Sequence, residues 1–196
     1  MTIVLFSAAA VLILPFVRLY TAKVTDANYI APLFAFLLVL AGATYCFRIP
    51  YHAVIIAAGH FRQTEKAAYG EAILNVTLSV LLVIRYELIG VAIGTLAATL
   101  FRFIYYAVYL SNHILNRKIR HFFKRECINL LCFASIFILG RQILVHLSIK
   151  NYWDWACCGI GIVAVAVAVT LAFNCIFYYA DTATAFRQLY QQLRKN

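Results

Sequence analysis

Six apolar runs fill nearly all of this chain, and they decide what it can fold into. They cover approximately residues 2–17, 29–58, 67–84, 88–110, 128–147 and 155–180. Runs of about 20 apolar residues match the thickness of a bilayer's hydrocarbon core. Inside that core no water satisfies backbone N–H and C=O groups, so a spanning segment closes its hydrogen bonds within itself as a helix. The expected fold is therefore all-α: a polytopic integral membrane bundle of about six transmembrane helices. Composition excludes the soluble alternative, because 65% of residues are hydrophobic and 12% charged, about half the charged share of a soluble domain. The first and third runs, at 16 and 18 residues, are short. Each is a helix completed by its flanks, or, for the first, a span cut short at Met1. The first run is not read as a signal peptide, since no basic segment precedes it and Arg18 and Tyr20 follow it.

Orientation follows from the cations. Of seventeen Lys and Arg residues, ten fall on one side: Arg62, Lys66, Arg117, Lys118, Arg120, Lys124, Arg125, Arg187, Arg194 and Lys195. The opposite loops hold Arg18, Lys23, Arg85 and Lys150. By the positive-inside rule the first group is cytoplasmic, and so are both termini. Trp153 and Trp155 suit the outer interface, and Tyr105, Tyr106, Tyr109, Tyr178 and Tyr179 the inner one. The expected location is the cell membrane, crossed many times.

A net charge of +10 raises the question of nucleic acid. The charges border apolar spans and no nucleic-acid module accompanies them, so membrane lipids are the expected partner and nucleic acid is not. In the basic loop 111–126, Leu115, Ile119, Phe122 and Phe123 recur at helical spacing, which reads as a helix lying on the inner leaflet. Phe186, Leu189, Tyr190 and Leu193 repeat the pattern in the tail, 181–196. Cys46, Cys127, Cys132, Cys157, Cys158 and Cys175 have no metal-ligand spacing and read as soft packing residues. The five histidines form no local ligand pair, so neither a metal nor a cofactor is expected. No long linker divides the chain, which reads as a single membrane domain, 1–196.

Pro15, Pro32 and Pro50 are the only prolines. Pro50, inside the second run, removes a hydrogen bond to Cys46 and is expected to kink that helix. Four charges, Arg48, Glu71, Arg102 and Arg141, lie within the runs. Charged groups at such depth usually face a bundle interior or a wet cavity. Arg102 and Arg141 stand within about two turns of a helix end, from which either can snorkel to headgroups. Arg48 is deeper and shares a helical face with His52, and Arg48 is the first candidate for contact with an anionic substrate. Glu71 and Asn75 share a face of the third run; Asn75 can bond across to a neighbour, and Glu71 reads as a helix-dipole partner near the cytoplasmic end. The candidate cavity residues are thus Arg48, His52, Glu71, Asn75 and Arg102.

Gly90, Gly94 and Ala98 form a small-residue face suited to close helix packing. No GxSxG, HExxH or GxxxxGK pattern occurs, and no enzymatic activity is expected.

Four segments carry a family resemblance: LYTAKVTDANYIAP at 19–32, RIPYHAVIIAAGHFRQTEK at 48–66, EAILNVTLSVLLV at 71–83 and IGVAIGTLAATLFR at 89–102. They resemble the C-terminal lobe of polysaccharide and oligosaccharide flippases of the multidrug/oligosaccharidyl-lipid/polysaccharide exporter superfamily. The resemblance implies that 1–110 holds the last four helices of a second lobe, and that the helices of 127–180 are the extra pair of fourteen-helix members. It further implies a role in moving undecaprenyl-pyrophosphate-linked glycans across the cytoplasmic membrane for polysaccharide biosynthesis, by alternating access between two lobes. Less than one lobe is present, so the implied partner is an N-terminal lobe on another polypeptide, or a second copy paired through small-residue faces. A noncatalytic scaffold or accessory subunit of a glycan-assembly complex is the alternative. Glu87 stands where relatives often carry glycine, so the turn there is expected to avoid the positive φ that glycine favours.

Overall fold

The computed structural model describes residues 1–22, 30–115, 119–147, 149 and 151–177. Five helical elements follow one another: α1 (Thr2–Tyr20), α2 (Pro32–Ala57), α3 (Phe61–His113), α4 (Arg120–His146) and α5 (Tyr152–Phe177). No strand occurs among the described residues. All five are long and apolar enough to cross a membrane. Pro32 opens α2 at the first helical position, where its missing N–H costs nothing. Pro50 lies inside α2, which is helical on both sides of it.

The element α3 is two antiparallel arms, 61–86 and 88–113, reversed at Glu87 (φ 50°, ψ −131°). This corrects the expectation for that turn: Glu87 adopts the glycine-favouring conformation after all. Such a backbone costs a non-glycine residue about 1–3 kcal/mol and persists only where the surroundings impose it. The surroundings here are interlocked helix faces. A Cβ added at Gly90 would sit 2.4 Å from the Leu82 carbonyl, and one at Gly94 would sit 2.8 Å from the Ser79 nitrogen. Only glycine lets the arms approach this closely. Gly90, Gly94 and Ala98 are all buried, with the two glycines against the facing arm, so the small-residue face expected to pair with a second copy is occupied within the chain.

Packing divides the molecule in two. Ala8, Val11 and Leu12 of α1 join Cys158 and Ile162 of α5, with Phe137 and Leu144 of α4 against them. Val4, Cys132, Ile136 and Ala166 continue the same α1–α4–α5 contact. A separate cluster of Ile55, Ala67, Tyr106 and Leu110 binds α2 to α3. The two halves meet where the Phe6 ring of α1 lies against Gly42 of α2, where Phe36 of α2 lies against Phe133 and Phe137 of α4, and at Phe122 of α4. Outward faces are apolar, with Leu5, Ile73, Val80, Leu130 and Ile160 all more than half exposed, which suits a lipid solvent.

Several expectations change at the ends of the elements. The basic loop does not form a separate surface helix. Its first residues end α3 at His113, and its last begin α4 at Arg120. Phe122 turns inward, its ring 5.6 Å from that of Tyr51 and 5.3 Å from that of Phe103. The helical spacing of Ile119, Phe122 and Phe123 was the leading edge of a spanning helix. Of the cysteines, Cys132 and Cys158 are buried, whereas Cys127, Cys157 and Cys175 are exposed, so only part of the set packs the core. The tail 181–196, with Tyr178 and Tyr179 before it, lies outside the described residues.

Candidate functional site

The arms of α3 pair off around Glu87, Leu82 near Gly90 and Ser79 near Gly94. Continued inward, this register sets Asn75 beside Thr95 and Glu71 beside Arg102. Packing of α2 on the hairpin then brings Arg48 to the same point. One Glu71 carboxylate is shared between two guanidiniums: Arg48 Nη1 donates to Oε1 at 2.7 Å and Arg102 Nη1 donates to Oε2 at 2.6 Å. All three side chains are largely withdrawn from the surface, at 8%, 16% and 18% exposure for Arg48, Glu71 and Arg102.

Aromatic rings complete the arrangement. The Arg48 guanidinium lies over the Tyr45 ring at 4.6 Å, and that of Arg102 over Tyr106 at 5.1 Å. Arg102 Nε also donates to the Tyr106 hydroxyl at 2.9 Å. His52 stacks on the same Tyr106 ring, nearly parallel to it at 5.3 Å. Rings take up a cation's field where water is absent. No buried side-chain nitrogen or oxygen lacks a hydrogen bond among the described residues.

Depth can be counted along the helices. At about 1.5 Å per residue, Arg48, Glu71 and Arg102 lie roughly 14–17 Å from the α2, first-arm and second-arm ends that bear the basic loops. Their agreement puts the cluster on one level near the middle of the bundle. Two positive charges and one negative leave it with one surplus positive charge. Glu71 alone cannot neutralise both arginines, and the arrangement favours an additional anion wherever one can reach it.

All three intrahelical charges singled out as candidates on α2 and α3 are thus brought together. His52 joins through Tyr106 rather than through Arg48. Asn75 lies one turn away and serves the hairpin instead: its Oδ1 accepts from Ser79 at 3.1 Å and from Thr95 at 3.4 Å. Glu71 is not a helix-end dipole partner, since the helix starts ten residues earlier at Phe61. Arg102 does not snorkel; its bonds run inward. Tyr106 is 1% exposed, so it is a core residue rather than an interfacial one. Tyr45 and Tyr106 were not recognised as partners of the arginines, although their spacings of three and four residues from Arg48 and Arg102 are those that share a helical face.

The described cavities lie elsewhere. One of about 490 Å³ opens between α1 and α4, and one of about 460 Å³ is lined by Pro50, Tyr51, Phe122 and Glu126 among others. Neither is lined by Arg48, Glu71 or Arg102. Compared with models of protein families, with curated proteins and with solved structures, the chain matches none.

Proposed function

We propose that this chain is the helical part of a transporter that passes a lipid-linked, pyrophosphate-bearing glycan across the cell membrane. The reading joins the resemblance of 19–32, 48–66, 71–83 and 89–102 to flippases with one observation that carries it. Arg48 and Arg102 share a single carboxylate at one depth inside the bundle. Two guanidiniums about a common centre suit a pyrophosphate, which accepts paired hydrogen bonds at both ends. Glu71 then holds the phosphate position while no substrate is present, and leaves it when a stronger anion arrives. In this reading each arm of α3 crosses separately, giving six crossings with both termini in the cytoplasm. A second lobe completes the cleft.

The test is export. In cells whose surface glycan depends on this chain, Arg48→Gln abolishes delivery of labelled glycan to the outer leaflet while the protein stays in the membrane at normal abundance. Undiminished export by that variant overturns the reading. The alternative, a noncatalytic scaffold of a glycan-assembly complex, draws support from the closed packing about Glu71, which no described cavity enters. It predicts unchanged export by Arg48→Lys, and loss of the assembled complex whenever the charge is removed. Topology is tested separately: in a background with the native cysteines replaced, Tyr152→Cys is labelled from outside intact cells and Leu115→Cys is not. Reversed labelling sinks the orientation.

A further inference from the structure

The cavity between α1 and α4 has an unusual composition for this end of the molecule. Its wall is apolar, including Val11 and Leu14 of α1 and Phe137 and Leu144 of α4, and its rim carries Arg18 and Arg141. Both arginines are exposed. Neither has a hydrogen-bond or ion-pair partner among the described residues. Arg18 stands two residues before the end of α1 and Arg141 five before the end of α4, about 3 and 8 Å along the axes. Both therefore lie at headgroup height. Their end of the molecule is the one with the start of α5 and both tryptophans, where few cations fall. The carboxylate of Asp154 at this end accepts from the Asn151 backbone N–H at 3.2 Å and is not part of the cavity wall.

Below the arginines the wall continues as far as Ala10, eight residues or about 12 Å deeper than Arg18. A charged rim over a greasy slot is the shape of an amphiphile. At about 490 Å³ the space falls within the range of small-molecule sites, about 300–1,000 Å³. We propose that this groove binds one anionic phospholipid of the surrounding bilayer, with its phosphate between Arg18 and Arg141 and an acyl chain along Val11, Leu14, Phe137 and Leu144. The choice of lipid follows from charge: two unpaired guanidiniums select a headgroup with net negative charge over a zwitterionic one, whose own ammonium would meet them. Membrane depth excludes a soluble anion from the apolar wall. The proposal is independent of the transport reading, since it uses neither Arg48, Glu71 nor Arg102.

The chain supplies its own reporter. It has two tryptophans, and Trp155 packs against the same cluster of Ala8, Val11 and Leu12 as Phe137, Leu144 and Ile149 do; Val11 and those last three line the groove. With Trp153→Phe, Trp155 alone reports, and the basic loops at the far end are silent. The full chain is reconstituted in phosphatidylcholine vesicles containing a small fraction of bromine-acylated phosphatidylglycerol, or the same fraction of bromine-acylated phosphatidylcholine. Preferential quenching by the brominated anionic lipid is expected, and Arg18→Gln with Arg141→Gln reduces it to the zwitterionic level. Each single change weakens the preference about fivefold, as for one cation beside an anionic surface. The single variants keep the test open if the double one does not fold. Equal quenching by the two lipids, or a preference that survives both substitutions, overturns the site.

Discussion

The two halves of this molecule are held together by different means. Among α2 and the two arms of α3, polar contacts accompany the Ile55–Ala67–Tyr106–Leu110 cluster: the Arg48–Glu71–Arg102 bridge, the Asn75–Thr95 bond between the arms and the His60–Tyr109 bond at 2.9 Å. Among α1, α4 and α5 the contacts are apolar, small and aliphatic side chains with aromatic rings at their edges such as Phe16 against Trp155, and no ion pair occurs among the described residues. Their polar links are a Trp155 Nε1–H to Leu12 carbonyl bond at 3.1 Å and a weak Cys132–Thr170 contact at 3.8 Å. In lipid the tails are as apolar as leucine, so burial alone does not drive helices together. Fit and hydrogen bonding must do it. One half relies on fit, and the other adds charge.

That contrast can be broken most severely at Glu71. Glu71→Ala leaves Arg48 and Arg102 buried without a counter-charge, and we expect a loss of about 3–5 kcal/mol in denaturant titrations of the detergent-solubilised protein. Replacing all three charges by leucine should restore most of it, because removing a buried ionic group whole is far milder than orphaning its partners. If the triple variant is as unstable as Glu71→Ala, the cluster is not a self-contained ionic unit. In the other half Ile136, which is fully buried, is the matching probe. Ile136→Ala should cost about 2–3 kcal/mol through the void it leaves. Combined with Glu71→Ala, it should add to within about 0.5 kcal/mol, as separate sites do; strong coupling would dissolve the two-half description.

Smaller changes sharpen the account of the hairpin. Gly90→Ala places a methyl group against the Leu82 carbonyl and should cost about 1–3 kcal/mol, visible in the same titration. Glu87→Gly should act in the opposite direction. It relieves the positive φ and should stabilise the protein by about 1 kcal/mol, a shift readable as a modest rise in Tm. A fall in Tm would mean that the Glu87 side chain contributes more than its backbone costs.

Much of this fold is legible in the sequence because lipid imposes a simple rule. The apolar runs gave the helices to within a few residues at most ends, and Gly90 and Gly94 gave a close-packed face. The exceptions were two starts that read as basic loop, that of α3 at Phe61, six residues before its apolar run, and that of α4 at Arg120. Phe122 and Phe123 were seen at helical spacing but not connected to the span that follows. The charges were legible and their partners were not. Arg48 and Glu71 are 23 residues apart, Glu71 and Arg102 31 apart, and only the hairpin register makes them neighbours. Glu87 was misjudged for a related reason: its backbone is set by the interlocking of Gly90 and Gly94 with the facing arm, a force from outside the turn.

The Trp155 to Leu12 bond spans 143 residues of chain. A ribosome adding about 5–20 residues per second takes roughly 7–30 s to make that interval. During that time α2 and then α4 are made beside α1, and α5 is the last of its three neighbours to appear. Its inward face of Val4, Ala8, Val11 and Leu12 must be shielded by lipid or by the insertion machinery until α4 and α5 arrive. The polar half, by contrast, is complete as soon as His113 has emerged. Assembly therefore runs outward from the charged hairpin, and α1 completes its contacts only once α5 has been made.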